Sequence, residues 1–173
     1  MQIYRTRARV AGVGYRRLAP VVLAWLFVVP WSGWAAALTW NGGASGTWQN
    51  GGAGWLNGGF GATWNNATPD TATFAGVSPQ AVNISGGVTV GHLTFAADAY
   101  TLGGSGTLTL NTGTVQVDAG LTAILSNAVA GSAGLTKSGA GTLVLTNNNK
   151  SYTGTTTVNE GALRISATTA NNM

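Results

Sequence analysis

GTLVLTNNNKSYTGTTTVNEGALRI, from Gly141 to Ile165, repeats the wording of GTLTLNTGTVQVDAGLTAI, from Gly106 to Ile124. The shared skeleton is G-T-L-x-L, a connecting segment, then G-T-x-x-V-[D/N]-x-G-x-x-x-I. A strand–turn–strand unit of this length cannot bury its apolar side alone and has to stack on its neighbours. The doubling therefore points to a rod or a surface in preference to a pocket.

Working outward, the period is two from Ala81 onward. Val82-Asn83-Ile84, Val88-Thr89-Val90, Leu93-Thr94-Phe95, Leu108-Thr109-Leu110, Val115-Gln116-Val117 and Leu163-Arg164-Ile165 all alternate apolar with polar residues. Each run is short and bounded by Gly, Asn, Asp or Ser, the pattern of brief half-buried strands between turns. No capped stripe of 3.6-residue period is present to argue for a helix in this region. Val88, Leu108, Leu125, Leu143 and Leu163 recur about every 17 to 20 residues, near the length of one solenoid coil, and are expected to form an inward column. The segment between Leu145 and Gly154, longer than its counterpart between Leu110 and Gly113, is expected to be an enlarged turn such as a solenoid tolerates. The fold class is all-β, a right-handed parallel β-helix, with a β-sandwich as the alternative because short alternating strands serve both.

The 173 residues carry a net charge of +4 that is unevenly placed. Arg5, Arg7, Arg9, Arg16 and Arg17 precede an apolar run over 18–29, followed by Pro30 and the small residues Ala35, Ala36 and Ala37. That order matches the basic, apolar and cleavage regions of a secretory signal peptide. The apolar run is too short for a spanning helix, which needs about 20 residues. Cleavage is expected after Ala37, with a cut after Ala35 as the second choice. The remainder carries Lys137, Lys150 and Arg164 against Asp70, Asp98, Asp118 and Glu160, so it is close to neutral and lacks the basic patch that nucleic acid requires. Cysteine is absent, which excludes disulfides and thiol nucleophiles.

Between residues 38 and 80 the chain is rich in Trp, Gly and Asn. Trp40, Trp48, Trp55 and Trp64 are separated by Asn-Gly and Gly-Gly pairs that favour tight reversals. Two readings follow for these four side chains: a plug that closes the N-terminal end of the β-helix, or exposed rings that stack on the sugars of a glycan. They are the one set of candidate binding residues. Catalytic candidates are sparse. His92 is the single histidine and falls in an alternating run, where a solvent-facing position is expected. Asp118 and Asn159 occupy matching positions before a glycine and suit turn hydrogen bonding. Stacking could bring Asp118 and Glu160 to one edge of the tube. No recurring aspartate of the calcium-binding glycine-rich type is present, and no cofactor or metal is expected.

Gly134-Leu135, Lys137, Gly139, Gly141-Thr142-Leu143, Leu145, Tyr152-Thr153-Gly154, Thr156, Val158, Gly161, Leu163 and Ile165 fall in the order G-L-x-K-x-G-x-G-T-L-x-L … Y-T-G-x-T-x-[IV]-x-x-G-x-L-x-[IV]. That stretch resembles the autotransporter-associated β-strand repeat of bacterial autotransporter passenger domains. The unit at Gly106–Ile124 resembles it less, lacking the Tyr-Thr-Gly turn. The resemblance implies a right-handed β-helix, secreted or held at the cell surface, with an outer-membrane association through a C-terminal translocator barrel. The sequence up to Met173 contains no run of amphipathic membrane strands, so two readings stand: the barrel lies in a part beyond this chain, which is the favoured expectation, or the protein is a secreted repeat protein without a translocator of its own. The division expected is a signal peptide at 1–37, a cap region at 38–80 and β-helix repeats at 81–173, with the best-matched repeat at 134–165. The function expected is non-enzymatic: a surface scaffold and adhesive passenger segment meeting glycans or a host or neighbouring cell. A glycan-binding module built on the tryptophans and a polysaccharide-degrading β-helix are the alternatives.

Overall fold

The computed structural model describes residues 35–43, 46–76 and 80–166. The basic and apolar parts of the expected leader lie outside the described residues. Within them the chain is all strand and turn, with no helix, and it winds as a parallel β-solenoid with three sides to each coil.

The first full coil runs through β6 (Gln80–Ile84) and β7 (Gly87–Phe95), the second through β8 (Tyr100–Gly103) and β9 (Thr107–Val117). β7 and β9 each turn a corner, and the register between them shifts between Val90 and His92. The third coil uses β10 (Thr122–Leu125), β11 (Ala128–Ala130) and β12 (Leu135–Ser138). The fourth uses β13 (Thr142–Leu145), a single bridge from Lys150 to Val129, and β14 (Thr156–Val158), and β15 (Ala162–Ile165) follows. Side one holds the first halves of β7 and β9, then β11. Side two holds their second halves, then β12 and β14. Side three holds β6, β8, β10, β13 and β15.

Alternation places every second side chain inside, where register stacks it on its counterpart one coil away. Val82, Leu102, Leu125 and Leu145 form one such row on side three. Ala72, Leu93 and Val115 form one on side two, and Val88, Leu108 and Val129 one on side one. All of these residues are buried. Burying each Val or Leu contributes about 1.5–3 kcal/mol, so the rows are the main stabilising element.

Register corrects the single column expected above. Val88 does stack on Leu108, and Leu143 on Leu163, but these pairs lie on different sides. Leu125 stacks on Leu145, while Leu143 stacks on Ala123. The two G-T-L-x-L segments likewise occupy side one and side three. The residues between Leu145 and Gly154 are no enlarged turn. They are side one of the fourth coil, tied down by Val129 N to Asn149 O at 3.2 Å, Ser151 N to Val129 O at 2.8 Å and Thr153 N to Gly131 O at 2.8 Å. A glycine-bounded run of period two reads the same on any side, so the repeat reported strand chemistry without reporting which side each strand takes.

The N-terminal end is built differently. β1 (Ala37–Trp40) pairs parallel with β5 (Thr71–Phe74) and antiparallel with β3 (Trp55–Asn57), which forms a hairpin with β4 (Phe60–Ala62). β2 (Thr47–Trp48) joins side three beside β6. Asn66 ties this end to side one: its Nδ2 donates to Gly87 O at 2.8 Å, and its Oδ1 accepts from Thr89 N at 3.0 Å. One amide side chain thus stands in for a paired strand and covers an edge that would otherwise offer free backbone groups.

Candidate functional site

Three places in this frame could carry function: the aromatic end, the outward rows, and the corner between sides two and three.

At the aromatic end, the four tryptophans point inward and against one another. Trp40 and Trp55 sit opposite in register with ring centroids 5.1 Å apart, and Trp48 lies 4.7 Å from Trp64 in an edge-to-face contact. Phe74 continues the pile and stacks on Phe95 at 5.2 Å. Trp48 is 0 % and Trp40 3 % exposed, with Trp55 and Trp64 at 1 % each. Sugar stacking requires a free ring face, and these rings have spent theirs on each other, so the glycan-ladder reading of Trp40, Trp48, Trp55 and Trp64 is corrected to the plug reading. Nε1 of Trp64 reaches Asn66 Oδ1 at 3.1 Å, whereas those of Trp48 and Trp55 have no partner among the described residues.

The outward rows differ in chemistry from side to side. On side two, Thr71, His92, Thr114, Thr136 and Thr157 succeed one another in register, and beside them run Thr73, Thr94, Gln116 and Ser138. Hydroxyl and amide groups thus repeat at the strand spacing of about 4.8 Å. His92 is exposed, and its Nδ1 lies 3.5 Å from Thr112 Oγ1. Side three presents Ala81, Thr101, Ile124, Val144 and Arg164 outward, a less polar row.

The corner between sides two and three collects Asp98, Asp118 and Glu160, one from each of three coils. Asp98 Oδ1 accepts from Thr122 N at 2.8 Å, and Asp118 Oδ1 from Gln116 Nε2 at 2.8 Å. Asp118 and Glu160 do share this edge, as stacking suggested. The corner at Gly139–Gly141 lies between them, leaving their backbones two strand spacings, roughly 9–10 Å, apart. They do not form an adjacent pair. Among the described residues, no group of three or more His, Asp or Glu side chains is placed to hold a metal ion.

Lys137 is the residue that sequence reasoning passed over. It is fully buried in the row Leu93, Val115, Lys137, Val158, where the other coils have apolar side chains. Its Nζ turns into the corner and donates to Ser138 O at 2.8 Å, Gly139 O at 2.7 Å and Glu160 O at 3.3 Å. The signal was present: in L-T-K-S, period two places Lys137 on the same face as Leu135. Burial pulls its pKa below the ordinary 10.5, and the Glu160 charge works against that fall. An unfolded lysine keeps its proton up to about 10.5, so the native state binds fewer protons between the lowered value and that point. The contribution of Lys137 to stability should therefore rise with pH through this window and be lost as pH falls through the native value. Melting curves of wild type and Lys137→Met between pH 8 and 10.5 check this: wild type should gain relative to the variant as pH rises, and parallel curves would refute it.

Residues 135–165 match the family model of the passenger-associated-transport-repeat, which bears out the resemblance read from the sequence. The match begins on side two at β12 and ends on side three at β15, more than one coil later. It therefore includes its own stacking contacts, Leu135 on Thr156 and Leu143 on Leu163. Among curated proteins, the chain is similar to the adhesin BmaC autotransporter of Brucella suis biovar 1 (strain 1330), 40% identical over 108 residues. That alignment covers 61% of this chain and 3% of the adhesin, so the chain spans a small part of that relative's length. No solved structure matches the chain.

Proposed function

We propose that this chain is an exported, non-enzymatic segment of an adhesive autotransporter passenger, in which the solenoid is the scaffold and its outward rows make the contact. One observation carries the reading: the inward rows are closed and, Lys137 apart, apolar, while the Thr, Ser and Gln rows of side two repeat from coil to coil on an open surface. Weak contacts at a fixed spacing add through effective concentration, so a low-affinity rung suffices for firm attachment. The transport repeat and the adhesin similarity support the class, and the basic-then-apolar leader supports export. The partner on this reading is a glycan-bearing cell surface, and the protein is secreted or surface-held.

The test is binding of the purified exported chain to intact cells and to immobilised glycans, beside the double variant Thr114→Val, Thr136→Val. Valine keeps shape and strand preference while deleting the hydroxyl. Avid binding that drops at least several-fold in the variant supports an adhesive side two. Absence of binding by the wild-type chain sinks the adhesive part.

A further inference from the structure

Asp70 is a buried carboxylate, 6 % exposed, immediately before β5. Among the described residues its side chain has one donor, the backbone N–H of Ala36, at 2.6 Å from Oδ1. Ala36 is held on its other side as well, since Thr71 N donates to Ala36 O at 2.8 Å, and Ala37 pairs with Thr71 in register. The residue before it, Ala35, is exposed. The sheet therefore takes up the chain starting at Ala36.

This placement separates the two cleavage points that small residues allow. Gly33 and Ala35 suit a cut after Ala35, and Ala35 and Ala37 suit a cut after Ala37. A cut after Ala37 removes the donor to Asp70, the acceptor of Thr71 N and the first residue of β1. A buried carboxylate left without its donor is strongly destabilising. A cut after Ala35 does the opposite: it leaves the same nitrogen at the same place and gives it a charge.

We propose that the leader is removed between Ala35 and Ala36, and that the α-ammonium of Ala36 then forms an ion pair with Asp70 that closes the N-terminal end of the solenoid. The inference rests on the export reading above. A signal peptidase supplies the catalysis and water the co-reactant: the bond from Ala35 C to Ala36 N breaks, the water oxygen leaves on Ala35 as its carboxylate, and both water protons end on the Ala36 nitrogen, which becomes the ammonium. Before the cut, burial raises the Asp70 pKa above 3.8 and the single amide hydrogen bond lowers it less. Afterwards the carboxylate faces a full positive charge. The neighbouring strand contributes His92, opposite Thr71, as the nearby titratable side chain in register.

The full chain, expressed in a Gram-negative host and recovered after export, gives the first readout by intact mass. A product beginning at Ala36 is expected. A product beginning at Leu38 overturns this inference and leaves the export reading standing, whereas a chain that keeps its leader overturns both. The second readout is the charge itself. An unpaired α-amine titrates near 8, and pairing raises the native value. The stabilisation is then full below about 8 and lost as pH rises through the raised native value. Wild type should show a falling step in Tm above pH 8 that Asp70→Asn lacks and His92→Gln keeps; Lys137 acts in the opposite direction and cancels in the comparison. If Asp70→Asn does not accumulate, acylation of the wild-type product at pH 7 decides. The α-amine of the folded chain should react at least tenfold more slowly than in urea, and equal rates refute the pair.

Discussion

Trp55→Ala should lower the stability of the chain by about 3–5 kcal/mol, the range for emptying a large aromatic site. The Trp55 ring is 1 % exposed and lies 5.1 Å from Trp40, 5.0 Å from Trp48, 4.8 Å from Trp64 and 5.7 Å from Phe74. Removing it strips contacts from four rings at once, and each edge-to-face pair adds about 0.5–1.5 kcal/mol beyond the area buried. β3 is also the strand through which β1 meets the hairpin, so the loss falls where the solenoid is closed. Trp55→Phe should cost much less, because it keeps ring packing and deletes an Nε1–H that has no partner. Phe60, 80 % exposed on the adjoining β4, supplies the contrast: Phe60→Ser should change stability by no more than about 0.5 kcal/mol. Urea unfolding of the three variants measures all of this. A cost below about 1 kcal/mol for Trp55→Ala would mean that the aromatic pile is incidental to closing the end.

Gly139→Val should cost a similar amount, about 3–5 kcal/mol, by a different route. Gly139 has φ of +72°, which a β-branched residue tolerates poorly. A side chain there would also collide with the carbonyl oxygen of Val117 on the coil below. That carbonyl cannot move aside freely, because it accepts from Gly141 N at 3.0 Å. The Gly139 oxygen itself receives the Lys137 ammonium at 2.7 Å, so displacing the corner also strands a buried cation. Gly120→Ala gives the comparison: its φ is +77°, yet nothing lies within 4 Å of the added carbon. It should cost about 1 kcal/mol from backbone strain alone. Equal losses at the two glycines would refute the close-packed corner.

Fold class was legible because alternation and glycine punctuation are local signals. Val82-Asn83-Ile84 needs only its own residues to declare a half-buried strand. The assignment of strands to sides was not legible, since Gly106–Leu110 and Gly141–Leu145 use one vocabulary on two different sides. The inward position of Lys137 was written in the run L-T-K-S, but its charge argued the other way until three carbonyls were seen to receive it. Asp70 and Asn66 lie between strands, with partners 34 and 21 residues away, Ala36 and Gly87, and nothing local announces such pairs. Exposed and buried tryptophans share the same spacing, so only the packed rings separate a plug from a sugar platform.

The parallel register means that hydrogen bonds between coils run along the axis of the stack. Stacked partners stand 20 residues apart at Val82 and Leu102, and 23 at Tyr100 and Ala123. Each coil therefore folds about 70 Å of contour into a rise of under about 5 Å. A pull along the axis loads the ladders coil by coil, and every coil that yields pays out that whole length while its neighbours stay wound. The solenoid is then a reel, lengthening in steps under load before it lets go.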